Sequence, residues 1–182
     1  MVDAMRPDSQ LQDERYKTAA ADYGAALERL ARAYEADPEN RRDLVQEIHV
    51  ALWRSFAAFD ERCSLRTWVY RVAHNTATSY VIRQRRTNSR VFVTLEEVEA
   101  TASASESERD AGQREALERL LELVQQLKPL DRQVILSYLE GLDAASIGEI
   151  TGLSPGNVAT KIHRIKNILS HRFHEEGGHH AE

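Results

Sequence analysis

Cysteine is nearly absent: Cys63 stands alone among 182 residues. That excludes an internal disulfide and any zinc site built from several thiolates, and it fits a reducing compartment. No run approaches the roughly 18 apolar residues of a membrane span, and the opening MVDAMRPDSQLQDE lacks the apolar core of a secretory leader. A cytoplasmic protein with no membrane insertion is expected. No internal repeat is visible. Catalytic apparatus is missing too: Cys63 could pair only with His74, and no orienting third group or oxyanion motif stands near either. Cys63 reads better as a small packing residue, and His171, His174, His179 and His180 as a polar tail rather than a metal site. These absences point to a non-enzyme with no catalytic residue, metal or cofactor.

Acid is also missing from one stretch, although the chain as a whole carries a formal charge of -5. No Asp or Glu lies between Ser154 and His174. Residues 143 to 170, DAASIGEITGLSPGNVATKIHRIKNILS, read as a helix capped by Asp143, a turn at Gly152 and a second helix opening on Ser154-Pro155. That is the layout of a DNA-reading helix-turn-helix. In the second helix Val158, Ile162, Ile165 and Ile168/Leu169 face inward. Asn157, Thr160, Lys161, Arg164 and Lys166 are left outward, a polar and cationic face suited to base edges and phosphates in a major groove. Small Gly148 is expected to allow close approach of the partner helix.

Charge is unevenly spread elsewhere. Residues 61 to 90 hold seven arginines against Glu61 alone, net +6, while residues 91 to 115 hold seven carboxylates against Arg109 and Arg114, net -5. An acidic chain with two basic faces should bind free duplex weakly, because distant negative charge opposes the approach. It should work inside a larger assembly.

Apolar spacing predicts helices over 11 to 36, from near Asn40 to the Phe56 region, and from Leu65 to about Arg86, with Asp37-Pro38 breaking the first run and Asp60 to Leu65 as a short connector. Residues 88 to 112 turn acidic and rich in Ser, Ala and Thr, a mobile linker in composition with room for a short strand at Val91 to Leu95. Two more helices follow, one ending before Pro129 and one at Gly141, ahead of the helix-turn-helix. The chain is thus expected to be all-α, with two small helical domains joined by a flexible linker: residues 1–87, linker 88–114, residues 115–174, and a disordered tail 175–182.

The third helix interleaves Arg66, Trp68, Tyr70, Arg71, His74, Asn75, Tyr80 and Arg83. Bases stack on rings while guanidinium groups hold phosphates, so these are the residue types that single-stranded nucleic acid requires. Opening a duplex costs on the order of 1.4 kcal/mol per stacked step, and each base captured on an aromatic returns about 1 to 3 kcal/mol. Two or three captured bases could bias a local opening. The helix from Asp43 to Trp53 differs, its outward mix of Gln46, Glu47, Val50 and Arg54 being better suited to another protein's helices.

DLVQEIHVALWRSFAAFD, then SLRTWVYRVAHNTATSYVIRQRR, then LKPLDRQVILSYLEGLDAASIGEITGLSPGNVATKIHRIKNIL, together resemble the extracytoplasmic-function sigma factors of bacterial RNA polymerase. The resemblance covers roughly residues 40 to 87 and 115 to 170, the family's regions 2 and 4. It implies a dissociable initiation subunit with core RNA polymerase and promoter DNA as partners, and an anti-sigma factor that covers the DNA-facing surfaces. Region 2 then docks on the β′ coiled coil through Asp43, Leu44, Gln46, Glu47 and Trp53. Ser64, Arg66, Thr67, Trp68, Tyr70, Arg71 and Asn75, with Arg83 further along the helix, match the segment that opens minus-10, and the connector Asp60 to Ser64 matches the loop that receives a flipped base. Region 4 reads minus-35 through Ser154, Asn157, Ala159, Thr160, Lys161, His163 and Arg164 and touches the β flap. Ala159 stands where a cation is common and Asn157 where Thr is common, which implies an unusual minus-35 preference. A stand-alone helix-turn-helix regulator would account for residues 115 to 170 but not for Trp68, Tyr70 and the arginines.

Overall fold

The computed structural model describes residues 7–88 and 112–177, with side chains over 9–84 and 116–171. All regular structure among the described residues is helical. The residues fall into two compact units that divide at Thr87 and Asn88. The linker's interior, the expected strand at Val91 to Leu95, and His179 and His180 lie outside the described residues.

The first unit packs α1 (Pro7–Tyr34), α2 (Pro38–Ser55) and α3 (Leu65–Asn88), with a single 3-10 turn at Phe56–Ala58 after α2. The break at Asp37-Pro38 has a local cause. The Asp37 carboxylate accepts the N–H groups of Glu39 and Asn40, both at 2.9 Å, while Pro38 opens α2 where a missing N–H does no harm. Leu44, Ile48 and Leu52 are fully buried along one stripe of α2, each contributing about 1.5 to 3 kcal/mol. Leu27, Leu30 and Tyr34 of α1 and Val69, Ala73 and Ala77 of α3 complete the core. α1 begins at Pro7 rather than Leu11, because its first turns are polar and leave no apolar periodicity to read.

The second unit contains α4 (Gly112–Gln126), α5 (Pro129–Leu139), α6 (Ala144–Thr151) and α7 (Pro155–Gly177). Asp143 caps α6 by accepting the Ser146 N–H at 2.7 Å, and that backbone hydrogen bond holds its carboxyl below the usual range. Gly152 closes α6 at φ 77°, a conformation that an L side chain resists. Gly148 lets Pro155, the first residue of the partner helix, come within 4.0 Å of where a Cβ would stand, but its tightest neighbour is the turn itself. A Cβ there would lie 2.7 Å from the Leu153 carbonyl oxygen, so the glycine makes room for the turn's own backbone. Ile147, Ile150, Val158, Ile165, Ile168 and Leu169 are buried between α6, α7 and α5, whereas Ile162 is only half-buried. α7 runs on to Gly177, beyond the start of the expected tail.

Candidate nucleic-acid interface

Ser64 opens α3. Its Oγ accepts the Thr67 N–H at 3.0 Å and shares a 2.9 Å hydrogen bond with Thr67 Oγ1, the local geometry of a helix N-cap. Thr67 is 3 % exposed, so its hydroxyl serves the cap. Arg66 and Asn75 are exposed, and Trp68 and Arg71 are half-buried. The Trp68 indole N–H donates to Ser55 Oγ at 3.0 Å, its ring leans on Phe59 at 5.1 Å, and the Arg71 guanidinium lies 5.8 Å from its centroid. Arg66 sits in the same relation to Tyr70, at 5.9 Å. The first three turns of α3 therefore set Arg71 over the half-buried Trp68 ring and Arg66 over the buried Tyr70 ring, leaving two cations and one ring edge that anionic backbone and a base can meet.

The ring cluster is smaller than the residue list suggests. Tyr70 is 1 % exposed and packs edge-on against Tyr23, and Tyr80 is 2 % exposed with its hydroxyl donating to the Asn40 carbonyl at 2.9 Å. Both are core residues, and of Trp68, Tyr70 and Tyr80 only Trp68 borders solvent. His74 is also core: fully buried, it hydrogen-bonds through Nδ1 to the Tyr34 hydroxyl at 3.0 Å. It is therefore no partner for chemistry at Cys63.

Burial lowers the His74 pKa to about 3, against about 6.5 in an unfolded chain. Above pH 6.5 neither state binds the proton. As the pH falls from 6.5 towards 3, the unfolded state takes it up and the folded state does not, so the first unit loses about 1.4 kcal/mol per pH unit. Both tryptophans, Trp53 and Trp68, lie in this unit, so their fluorescence reports its unfolding selectively. The melting temperature by fluorescence should drop between pH 6.5 and 4, and His74→Gln should flatten that slope.

An open cleft of about 680 Å³ between α2 and α3 gathers Asp43, Gln46, Glu47, Val50 and Arg54 with Tyr80 and Arg83. Arg83 donates to both Glu47 carboxylate oxygens at 2.7 Å and covers the Tyr80 ring at 5.5 Å. The structure thus brings Arg83 to the α2 face rather than to the start of α3. Leu44 is wholly buried and presents nothing outward. Trp53 is 40 % exposed, its indole N–H donating to Asp13 Oδ1 at 2.7 Å.

In the second unit Ser154 Oγ accepts the Asn157 N–H at 3.3 Å. Asn157, Ala159, Thr160, His163 and Arg164 are all exposed on α7. His163 pairs with the Asn167 amide at 3.1 Å. Lys161 differs from its neighbours: half-buried, it reaches Asp131 Oδ1 at 2.5 Å, and Asp131 is itself buried. That pair fixes α7 on α5, and sequence spacing gave no sign of it. Among the described residues, no group of three or more His, Cys, Asp or Glu side chains could hold a metal ion, and no helix is long and apolar enough to cross a membrane.

Comparison with known proteins matches residues 20–87 to Sigma-70 region 2 and residues 117–169 to Sigma-70, region 4. The RNA polymerase sigma factor CarQ of Myxococcus xanthus is 30% identical over 123 residues, 67% of this chain and 68% of that one. The ECF RNA polymerase sigma-E factor of Haemophilus influenzae is 28% identical over 138 residues, 72% and 73% of the two chains. Among solved structures, CnrH in complex with the cytosolic domain of CnrY shares the fold at TM-score 0.65 and 21% identity, covering 93% of this chain and 98% of that one. The sigma factor RpoE of Bartonella quintana, in complex with the anti-sigma factor NepR, does so at TM-score 0.63 and 17% identity, covering 87% and 96%. With regions 2 and 4 in order on one all-helical chain, the protein belongs to the extracytoplasmic-function sigma factors of the sigma-70 family, which direct RNA polymerase to initiate transcription at promoters.

Proposed function

We propose that residues 1–87 dock on the β′ coiled coil and open minus-10, that residues 115–174 read minus-35 and touch the β flap, and that residues 88–114 tether them. Exposure divides the labour within each surface. Asp43, Gln46, Glu47 and Trp53 make the polymerase contact, with Leu44 holding α2 in place beneath them and Arg83 completing their cleft. Arg66, Trp68, Arg71 and Asn75 meet the opened strand, while Ser64 and Thr67 shape the helix start and Tyr70 backs Arg66. Asn157, Ala159, Thr160, His163 and Arg164 meet minus-35, with Ser154 as the cap and Lys161 shared between DNA and Asp131. The chain supplies no chemistry of its own; the polymerase does, and the working compartment is the cytoplasm. An anti-sigma partner is supported by the similar sigma factor RpoE of Bartonella quintana, captured with the anti-sigma factor NepR.

The observation that carries this reading is the exposed, acid-free face of α7 from Asn157 to Arg164, on the same chain as an α3 start that stacks cations on rings. Run-off transcription with purified core polymerase tests it. The full chain should initiate from discrete promoters, and replacing Asn157, Thr160 and Arg164 together by Ala should lower that signal at least about fivefold, the loss of one to two base contacts at about 1 to 3 kcal/mol each. Promoter footprints of equal strength with and without polymerase would favour the stand-alone regulator instead.

A further inference from the structure

Arg15 on α1 makes three contacts with the segment between α2 and α3. Its Nη1 donates to the Phe59 carbonyl at 3.1 Å, its Nη2 to Glu61 Oε1 at 2.5 Å, and its guanidinium carbon lies 5.2 Å from the Phe59 ring centroid. Glu61 has φ 63°. A non-glycine residue in that left-handed region costs roughly 1 to 2 kcal/mol and persists where its surroundings hold it there. Phe59 in turn supports Trp68. One turn of α1 thus grips the strained residue of the connector and the ring beneath half-buried Trp68. The same turn is itself anchored, since Gln12 Nε2 donates to the Trp53 carbonyl and Asp13 accepts its indole N–H, both at 2.7 Å. Behind the connector lies an open cleft of about 440 Å³, lined by Leu11, Arg15, Phe59, Glu61 and Cys63 among others. The match to Sigma-70 region 2 begins at residue 20, after Arg15.

We propose that Arg15 is a positioning residue for promoter opening: its guanidinium fork holds the connector Asp60 to Ser64 in the shape that receives an unpaired base. The proposal rests on the reading of that connector as a base-receiving loop. The chemistry asks for arginine, because two donors at a fixed angle bridge a carbonyl and a carboxylate at once, which a lysine's single ammonium on a flexible stem does not reproduce.

The test uses full-length protein reconstituted with core polymerase. The probe is a labelled single-stranded oligonucleotide carrying the non-template minus-10 sequence of a promoter mapped by run-off transcription. Arg15→Ala should weaken oligonucleotide binding about tenfold, as should the connector variant Asp60→Ala with Arg62→Ala. Affinity for core polymerase and the tryptophan-fluorescence melt should stay at wild-type values. Arg15→Lys, which keeps the charge and the α1 surface, should recover no more than a third of the loss. Weak binding by the connector variant with wild-type binding by Arg15→Ala would overturn the role of Arg15 and leave the connector reading standing. Wild-type binding by both would remove the connector reading and the proposal with it. Should Arg15→Ala melt early, Arg15→Lys decides: a loss with an unchanged melt supports the fork, and wild-type affinity overturns it. A loss of core affinity in either Arg15 variant would overturn it as well, by placing α1 in docking.

Discussion

Trp68→Ala is expected to lower initiation from a duplex promoter about 5- to 150-fold, while initiation from a template already unpaired across minus-10 falls by no more than about threefold at saturating holoenzyme. The range follows from about 1 to 3 kcal/mol per base stacked on an aromatic and about 1.4 kcal/mol per tenfold. A duplex template must first be opened, so the energy of capturing a base sets how often the open state is reached. A pre-melted template needs no such payment. Trp68 also has structural work, because it bonds Ser55 and packs on Phe59. Loss of that packing would lower the folded fraction and reduce both templates alike, which is the outcome that would assign Trp68 to the core. Trp68→Phe separates the roles further. It keeps a flat ring but loses the Ser55 bond, and should retain activity on both templates to within about threefold, given the modest net worth of one hydrogen bond.

What could be read from the sequence was what depends on neighbours within a few residues. Asp37-Pro38, Asp143, Gly152 and Ser154-Pro155 punctuate helices through their own side chains or backbone freedom, and each stands where spacing placed it. The outward face of α7 was legible for the same reason, since Val158, Ile165 and Leu169 on one side leave Asn157, Thr160 and Arg164 on the other. The α3 cluster was legible only in part. α3 packs against both α1 and α2, so its buried arc is wide and takes in Tyr70, His74 and Tyr80, which a residue-type count treats as equals of Trp68. Contacts across long separations left no sequence trace at all. Arg15 meets Glu61 across 46 positions and Lys161 meets Asp131 across 30; each of these charges reads, on its own helix, as solvated surface. Leu44 was legible in two ways. A motif match placed it among docking residues, although its position on the α2 stripe with Ile48 and Leu52 marks it as core.

Arg132→Ala should destabilise the second unit by about 3 to 5 kcal/mol, enough to leave a large fraction of it unfolded near 37 °C, given that whole domains are stable by about 5 to 15 kcal/mol. Arg132 is 1 % exposed. Its Nε donates to the Val124 carbonyl at 3.0 Å, and its Nη2 donates to the Leu127 carbonyl at 3.2 Å and to the Gln125 carbonyl. These oxygens lie at the C-terminal end of α4, where a helix runs out of its own N–H donors and carries partial negative charge. A buried guanidinium answers both needs, because its planar fork spans several carbonyls and its charge opposes the dipole. Truncation leaves the Gln125 and Leu127 carbonyls without that donor, each at about 1 to 3 kcal/mol, while the Val124 carbonyl keeps the Leu127 N–H at 3.2 Å, and it leaves a void under α5 as well. Arg132→Met isolates the polar share: it fills most of the volume, and most of the loss should remain. Far-UV circular dichroism should show a second-unit transition moving to lower temperature, while tryptophan fluorescence, which reports only the first unit, stays in place. Because α5 also carries Asp131, the partner of Lys161, the loss should extend to minus-35 binding. A variant that melts normally by both signals would show that α4 ends without help from Arg132, and would leave the burial of that charge unexplained.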